Sequence, residues 1–181
     1  MYKRIIRHIV IPFFRILPAL KCNSIKIFLL NQIGHKLDKS VVFASSAKIM
    51  GNFTAHIGKN TFIGHNTLIT GGESDIYIGD NCDISSNVSL VMGSHEIDVL
   101  GSRSAGKGIS KSIFIDNGVW IGYGSIVLPG ITIGKKAIIG AGSVVNKDIP
   151  PYCIAAGNPC KPIKIWNSEL NTFEPVTKRD V

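Results

Sequence analysis

From residue 57 onward, a branched aliphatic residue recurs every sixth position and is usually followed by glycine. The series runs Ile57-Gly58, Ile63-Gly64, Ile69, then Ile78-Gly79, Ile84-Ser85 and Leu90. It resumes at Ile115-Asp116, Ile121-Gly122 and Val127, and ends with Ile133-Gly134, Ile139-Gly140 and Val145. A helix repeats near 3.6 residues and a simple strand near 2.0, so a period of six fits neither alone. It fits a short strand plus a turn, with three such units closing a triangular coil. The aliphatic residue then points into the prism and stacks on its counterpart in the next coil, about 4.8 Å away. The residue four positions later (Thr61, Thr67, Cys82, Val88, Val119, Ser125, Ala137, Ser143) is compact and fits beside the branched one. Gly or Asn at the corners tolerates turn dihedrals. No coil buries its own apolar face, so stacking is obligatory. The pattern predicts an all-β solenoid, a parallel β-helix, over residues 41–165, with a degenerate first coil at 41–52.

The flanks read differently. Residues 1–40 begin MYKRIIRHIVIPFFRILPAL, basic and then apolar as in a signal peptide. Arg15 interrupts the apolar run, Pro12 and Pro18 break it, and no small-x-small cleavage site follows. The run is also short of the ~20 apolar residues that span a bilayer. It is read as a helical cap whose apolar side packs on the protein or a partner subunit. Its basic residues Lys3, Arg4, Arg7 and Arg15 could touch anionic lipid at the inner membrane face. Residues 166–181 are polar and are read as a short helix followed by a disordered tail.

Composition narrows the classes. Hydrophobic residues make up 45% of 181 residues, enough for one globular domain. The net charge is +8, but no basic run alternates with aromatics, which argues against nucleic acid. Cys22, Cys82, Cys153 and Cys160 form no CxxC pair; free thiols in a reducing cytosol are expected, with neither zinc nor disulfides.

The hexad register breaks between about Gly93 and Lys111, in GSHEIDVLGSRSAGKGIS. A solenoid expels such insertions as a loop on one face, often the binding face; the expected loop spans 93–112. It carries His95 directly after the coil edge Leu90-Val91, with Glu96, Asp98, Arg103 and Lys107 beyond. Imidazole can take a proton from a hydroxyl near neutral pH. The fitting reaction is acyl transfer from a thioester to an alcohol, with His95 as general base. Backbone N–H groups at a turn, or an indole N–H, would steady the oxyanion. Either Glu96 or Asp98 could orient the ring.

These motifs resemble the hexapeptide-repeat acyltransferases, and within them the sugar O-acetyltransferases of the galactoside, maltose and nodulation type and those that decorate surface polysaccharides. The resemblance covers residues 50–165 and implies a left-handed β-helix. It rests on Ile84-Ser-Ser-Asn-Val-Ser-Leu90 followed by His95, on Val119-Trp120-Ile121-Gly122, and on Ala156-Gly157-Asn158-Pro159-Cys160-Lys161. It implies that His95 is the general base and that Trp120 lines the acceptor or thioester site. An asparagine that holds the acceptor in the galactoside enzymes is replaced here by His65, with Asn66 beside it; either could serve. The acyl donor implied is acetyl-CoA, lying between subunits of a homotrimer. Backbone groups of Tyr123 and Ala141 would meet the pantetheine amides, Asn146 and Lys147 would flank the adenosine end, and Lys161 and Lys164 would meet phosphate. The activity implied is O-acetylation of a carbohydrate, without a metal.

Two other readings stand beside it. A zinc carbonic anhydrase on the same solenoid would need three converging histidines, and His56, His65 and His95 lack the close H-x-x-x-x-H pair. A non-catalytic trimeric scaffold would have no use for His95 or for the cofactor-end motif. An amine acceptor, as on an amino sugar or an antibiotic, is a variant of the transferase reading.

Overall fold

The computed structural model describes Phe14 and residues 16–177; the N-terminal residues Lys3, Arg4, Arg7 and Arg15 lie outside that range. Three parallel sheets form a prism. The first sheet stacks β1 (Lys36–Leu37), β4 (Ala55–Ile57), β7 (Ile76–Ile78), β12 (Ile113–Ile115) and β15 (Thr132–Ile133). The second stacks β2 (Val42–Phe43), β5 (Phe62–Ile63), β8 (Asp83–Ile84), β13 (Trp120–Ile121), β16 (Ile138–Ile139) and β18 (Cys153–Ala156). The third stacks β3 (Lys48–Gly51), β6 (Leu68–Gly71), β9 (Ser89–Val91), β14 (Ile126–Val127) and β17 (Val144–Val145). The coil strands from β1 to β17 visit the sheets in rotation, giving about six turns, and only an isolated Ile133–Ile149 bridge represents the first sheet before β18. The first coil already starts at β1, within the N-terminal flank.

The hexad logic holds residue by residue. Ile63, Ile84, Ile121 and Ile139 form one inward column in register, each at most 1% exposed. Leu90 and Val127 pair likewise in the third sheet and are fully buried. The compact residues four positions on are buried beside them, including Thr61, Thr67, Ser125 and Ser143 at 0% exposure. Their hydroxyls bond coil carbonyls, as Thr67 Oγ1 donates to the Ser85 carbonyl at 2.9 Å, so the narrow interior holds no unpaired hydroxyl there. Asn60, Asn66, Asn81 and Asn87 occupy left-handed corners with φ between 54 and 58°, as short polar residues can. Gly122 is needed for a different reason: a Cβ there would lie 2.6 Å from the Ala141 amide nitrogen of the next coil.

A solenoid end exposes unpaired strand groups, and α1 (Asn23–Gln32) covers them here. Asn31 accepts the Leu37 N–H at 2.8 Å and donates to the Leu37 carbonyl at 3.0 Å. Asn23 accepts the Phe43 N–H, while the fully buried Lys26 ammonium donates to the Phe43 carbonyl at 2.5 Å and the Ala19 carbonyl at 3.2 Å. Desolvation lowers the Lys26 pKa. Ile27, Leu30 and Ile33 add the apolar side of the cap.

At the other end the described residues, up to 177, form no helix; residues 178–181 of the expected tail lie outside the described range. β19 (Lys161–Asn167) pairs antiparallel with β18, and β20 (Thr172–Pro175) pairs antiparallel with β19. The open edge of the last coil supplies a ready template for strands, and Trp166 packs edge-on to Phe173 at 5.1 Å. The four thiols are free. Cys82, Cys153 and Cys160 are buried, and burial pushes the Cys153 thiol up to about 11.

Candidate active site

The extruded segment is a β-hairpin, not an irregular loop. β10 (Gly93–Ile97) pairs antiparallel with β11 (Ala105–Ser110). Its base is clamped to the coils: Lys111 N–H donates to the Met92 carbonyl at 2.9 Å, and Met92 N–H to the Thr70 carbonyl at 2.8 Å. Gly71 permits the clamp, since a Cβ there would meet Met92 Cβ at 2.7 Å.

The register slips between His95 and Ile97, a bulge of the kind that re-aims a side chain. His95 is exposed, and its Nδ1 lies 2.9 Å from the Gly106 carbonyl oxygen. A carbonyl only accepts, so the proton sits on Nδ1 and the lone pair on Nε2 is left to act as a base. Neither acidic neighbour orients the ring. Asp98 accepts the N–H groups of Leu100 and Gly101 at 3.2 and 2.8 Å, closing the hairpin tip. Glu96 is exposed at the bulge. The orienting group is a backbone carbonyl, which has no side-chain signature in the sequence.

Trp120 stands outward on β13, half-exposed, and its indole N–H donates to Ser85 Oγ at 3.2 Å. That bond fixes the ring and commits the N–H, so the indole offers apolar surface, not an oxyanion donor. Ser85 was not singled out from the sequence. The signal was there, because it replaces the glycine that follows Ile57, Ile63, Ile78 and Ile121. Asp83 lies in register with Trp120 on the neighbouring strand, and burial raises its carboxyl pKa.

His65 and Asn66 sit two coils earlier at the corner between the second and third sheets. His65 Nδ1 is 3.2 Å from Ser46 Oγ, which also accepts the Asn66 N–H at 3.1 Å. The Asn66 backbone is left-handed, so its residue type answers a corner requirement as well. Tyr123 and Ala141 occupy the same corner in later coils. The Tyr123 carbonyl accepts the Gly142 N–H at 2.8 Å. Among the described residues, neither the Tyr123 nor the Ala141 N–H has an acceptor.

Asn146 and Lys147 are exposed at the other edge of the third sheet, after β17. The hairpin leaves that same edge, between β9 of the third sheet and β12 of the first. Lys161 and Lys164 are exposed on β19, beyond β18. One chain therefore gathers these residues in two groups. Trp120, His65, Asn66, Tyr123 and Ala141 lie on the second sheet and its edge with the third. His95, Asn146 and Lys147 lie across the third sheet. His56 is on yet another side, stacked on Tyr77 at 4.6 Å and 3.3 Å from Asp75. Among the described residues no three His, Cys, Asp or Glu side chains converge on a metal position.

Comparison with known proteins agrees with this geometry. A profile described as bacterial transferase hexapeptide (six repeats) matches residues 112–147, and one described as hexapeptide repeat of succinyl-transferase matches 55–91. The galactoside O-acetyltransferase of Escherichia coli (strain K12) is 43% identical over 112 residues, covering 62% of this chain and 54% of that one. The chain spans 54 to 63% of the length of curated relatives of this kind. A galactoside acetyltransferase solved in complex with coenzyme A is 31% identical, with a TM-score of 0.69 over 93% of this chain and 82% of that one. A hexapeptide-repeat-containing acetyltransferase from Vibrio cholerae O1 biovar eltor, solved with acetyl coenzyme A, is 26% identical with a TM-score of 0.75, covering 92% of this chain and 88% of that one. Repeat, fold and overall similarity together place the chain in the hexapeptide-repeat acyltransferase family.

Proposed function

We propose that the protein is an acetyl-CoA-dependent O-acetyltransferase acting on a carbohydrate hydroxyl, of a surface polysaccharide or its precursor, in the cytoplasm. The observation that carries this is the His95 ring, held through Nδ1 by the Gly106 carbonyl at 2.9 Å, with Nε2 free. That is the arrangement a general base needs. The relatives named above supply the donor: one was solved with coenzyme A and another with acetyl coenzyme A.

His95 Nε2 takes the proton of the acceptor hydroxyl as that oxygen attacks the thioester carbonyl. A C–O bond forms and the carbonyl oxygen becomes an oxyanion, which a backbone N–H at a turn can receive, while the Tyr123 and Ala141 corner meets the pantetheine amides. Collapse breaks the C–S bond, and the imidazolium returns its proton to the departing thiolate. Acetyl ester and free thiol are the products. Lys147, Lys161 and Lys164 offer charges for the phosphates; lysine does so as a point charge, without the bidentate fork of arginine.

The two groups of residues stand on opposite edges of the third sheet, so the reading requires a second copy to bring its hairpin against this chain's Trp120 side. A homotrimer satisfies that requirement with three equivalent clefts. The test is incubation with acetyl-CoA and a panel of galactosides, maltose, glycan fragments and amino sugars, following thiol release. Release with a hydroxyl-only sugar, by a particle three times the 19.6 kDa chain mass, is expected. Release only with amino sugars would move the acceptor to an amine, and no release with any member would overturn the reading.

A further inference from the structure

The positive charge is distributed unevenly. Seven of the 20 basic residues, and none of the 12 acidic ones, precede Asp38. The rest of the chain holds thirteen basic against twelve acidic residues and is close to neutral. The +8 net charge is therefore almost wholly a property of the first 37 residues. Of those seven cations, Lys26 is spent inside the cap on the Phe43 and Ala19 carbonyls. Lys21 and Lys36 are exposed, and the other four lie in residues 3–15.

The same end of the molecule carries apolar surface that the prism does not use. α1 buries Ile27 and Leu30 against the first coil. Its other side shows Ile25, 49% exposed, and Phe28, 60% exposed. Three positions apart, they share one helix face. The turn before the helix adds Ile16 at 80% and Leu20 at 45% exposure. A helix that caps a soluble domain ordinarily turns a polar face to water. This one is apolar on the side toward the coils and on the side away from them.

We propose that the N-terminal end is a docking surface for a lipid bilayer with anionic headgroups. α1 lies in the interface plane, its Ile25–Phe28 face and the preceding Ile16 and Leu20 enter the headgroup boundary, and the N-terminal cations meet lipid phosphates. The two signals belong together, because reversible interfacial binding needs apolar burial and electrostatic attraction at once. The helix docks and does not span: it has ten residues, and no helix among the described residues is long and apolar enough to cross a membrane. A second copy of this chain is a poorer occupant, because pairing these faces would bring two uncompensated basic segments together. A nucleic acid is poorer still, since the exposed side chains are aliphatic and aromatic without hydrogen-bonding groups.

The test uses the full chain and does not depend on transferase activity. Sedimentation is compared between vesicles of pure phosphatidylcholine and vesicles in which about a third is phosphatidylglycerol. Each basic residue near an anionic leaflet is worth about fivefold in partitioning, so the anionic vesicles should bind at least about tenfold more tightly, and salt should erase most of the difference. Replacing Ile25→Glu and Phe28→Glu together should lower binding at least about tenfold with the melting temperature and particle mass unchanged. Should that variant fail to fold, Lys3→Gln, Arg4→Gln and Arg7→Gln together decide the matter by abolishing the preference for anionic vesicles. Absence of binding, equal binding to both vesicle types, or an unchanged preference in the charge variant would overturn the proposal. So would a change in particle mass on Ile25→Glu and Phe28→Glu with no loss of sedimentation, because the face would then belong to a second copy.

Discussion

Replacing His95 with alanine should lower turnover with acetyl-CoA and a sugar acceptor by at least about 100-fold, the usual worth of general base catalysis. The fold should survive. The side chain is exposed on a hairpin outside the prism, and its hydrogen bond goes to the Gly106 carbonyl, which is left facing solvent when the ring is removed. Coenzyme A binding should be close to unchanged, because the reading asks His95 to act on the acceptor proton and not to hold the donor. Replacing His95 with glutamine sharpens the result. Glutamine can keep a hydrogen bond to the carbonyl but cannot take a proton, so it should be about as inactive as alanine. Steady-state kinetics beside a melting curve separate the outcomes. A variant that transfers acetyl at the parent rate would remove His95 from the chemistry.

The largest stability effect is expected at Ile121. It is fully buried, stacked in register between Ile84 and Ile139, and the coils around it are pinned. Ser85 N–H donates to the Ile121 carbonyl at 3.0 Å, and Gly122 N–H to the Ile139 carbonyl at 2.8 Å. A cavity in a column tied at fixed spacing cannot collapse. Ile121→Ala should therefore cost about 2–5 kcal/mol and Ile121→Val about 0.5–1.5 kcal/mol, read from denaturant midpoints at fixed protein concentration. Trp120 precedes it on the same strand, so Ile121→Ala should also loosen the indole and disturb the candidate acceptor wall. Equal midpoints for the parent and both variants would mean that the sixth residues do not form the core.

The prism was legible because burial itself sets its period. Ile63, Ile84 and Ile139 repeat at six since each must reach the same narrow interior, and Thr61 or Ser143 are small because the space beside the branched residue is small. What was not legible depends on contacts across coils. The hairpin pairs Gly93 with Ser110, but its tip has no alternation of polar and apolar residues, so it read as a loop. Gly106 orients His95 through a carbonyl, which leaves no mark on residue type, and the more visible Glu96 and Asp98 drew attention instead. Residues 161–175 lack a strand pattern, and they pair because β18 ends the solenoid with an open edge. Asn66 shows a third kind of ambiguity. A corner that needs a left-handed backbone and a site that needs an amide select the same residue, so its presence does not distinguish them.

The cap has its own lesson. Lys26 in an apolar helix reads as a solvated charge, yet it is buried and bonded to the Phe43 and Ala19 carbonyls. The end of a solenoid creates unpaired carbonyls that an apolar side chain could not satisfy. The sequence shows the lysine but not the carbonyls it answers.

The most direct test of the central claim, that this solenoid presents a groove for a phosphorylated thioester, is calorimetric titration of coenzyme A into the full chain. Saturable binding at one site per chain, weakened at least about tenfold when Lys161 and Lys164 are both changed to glutamine, is the predicted result. Absence of saturable heat at millimolar coenzyme A, from a protein that melts cooperatively, would leave a β-helical scaffold with no donor to use.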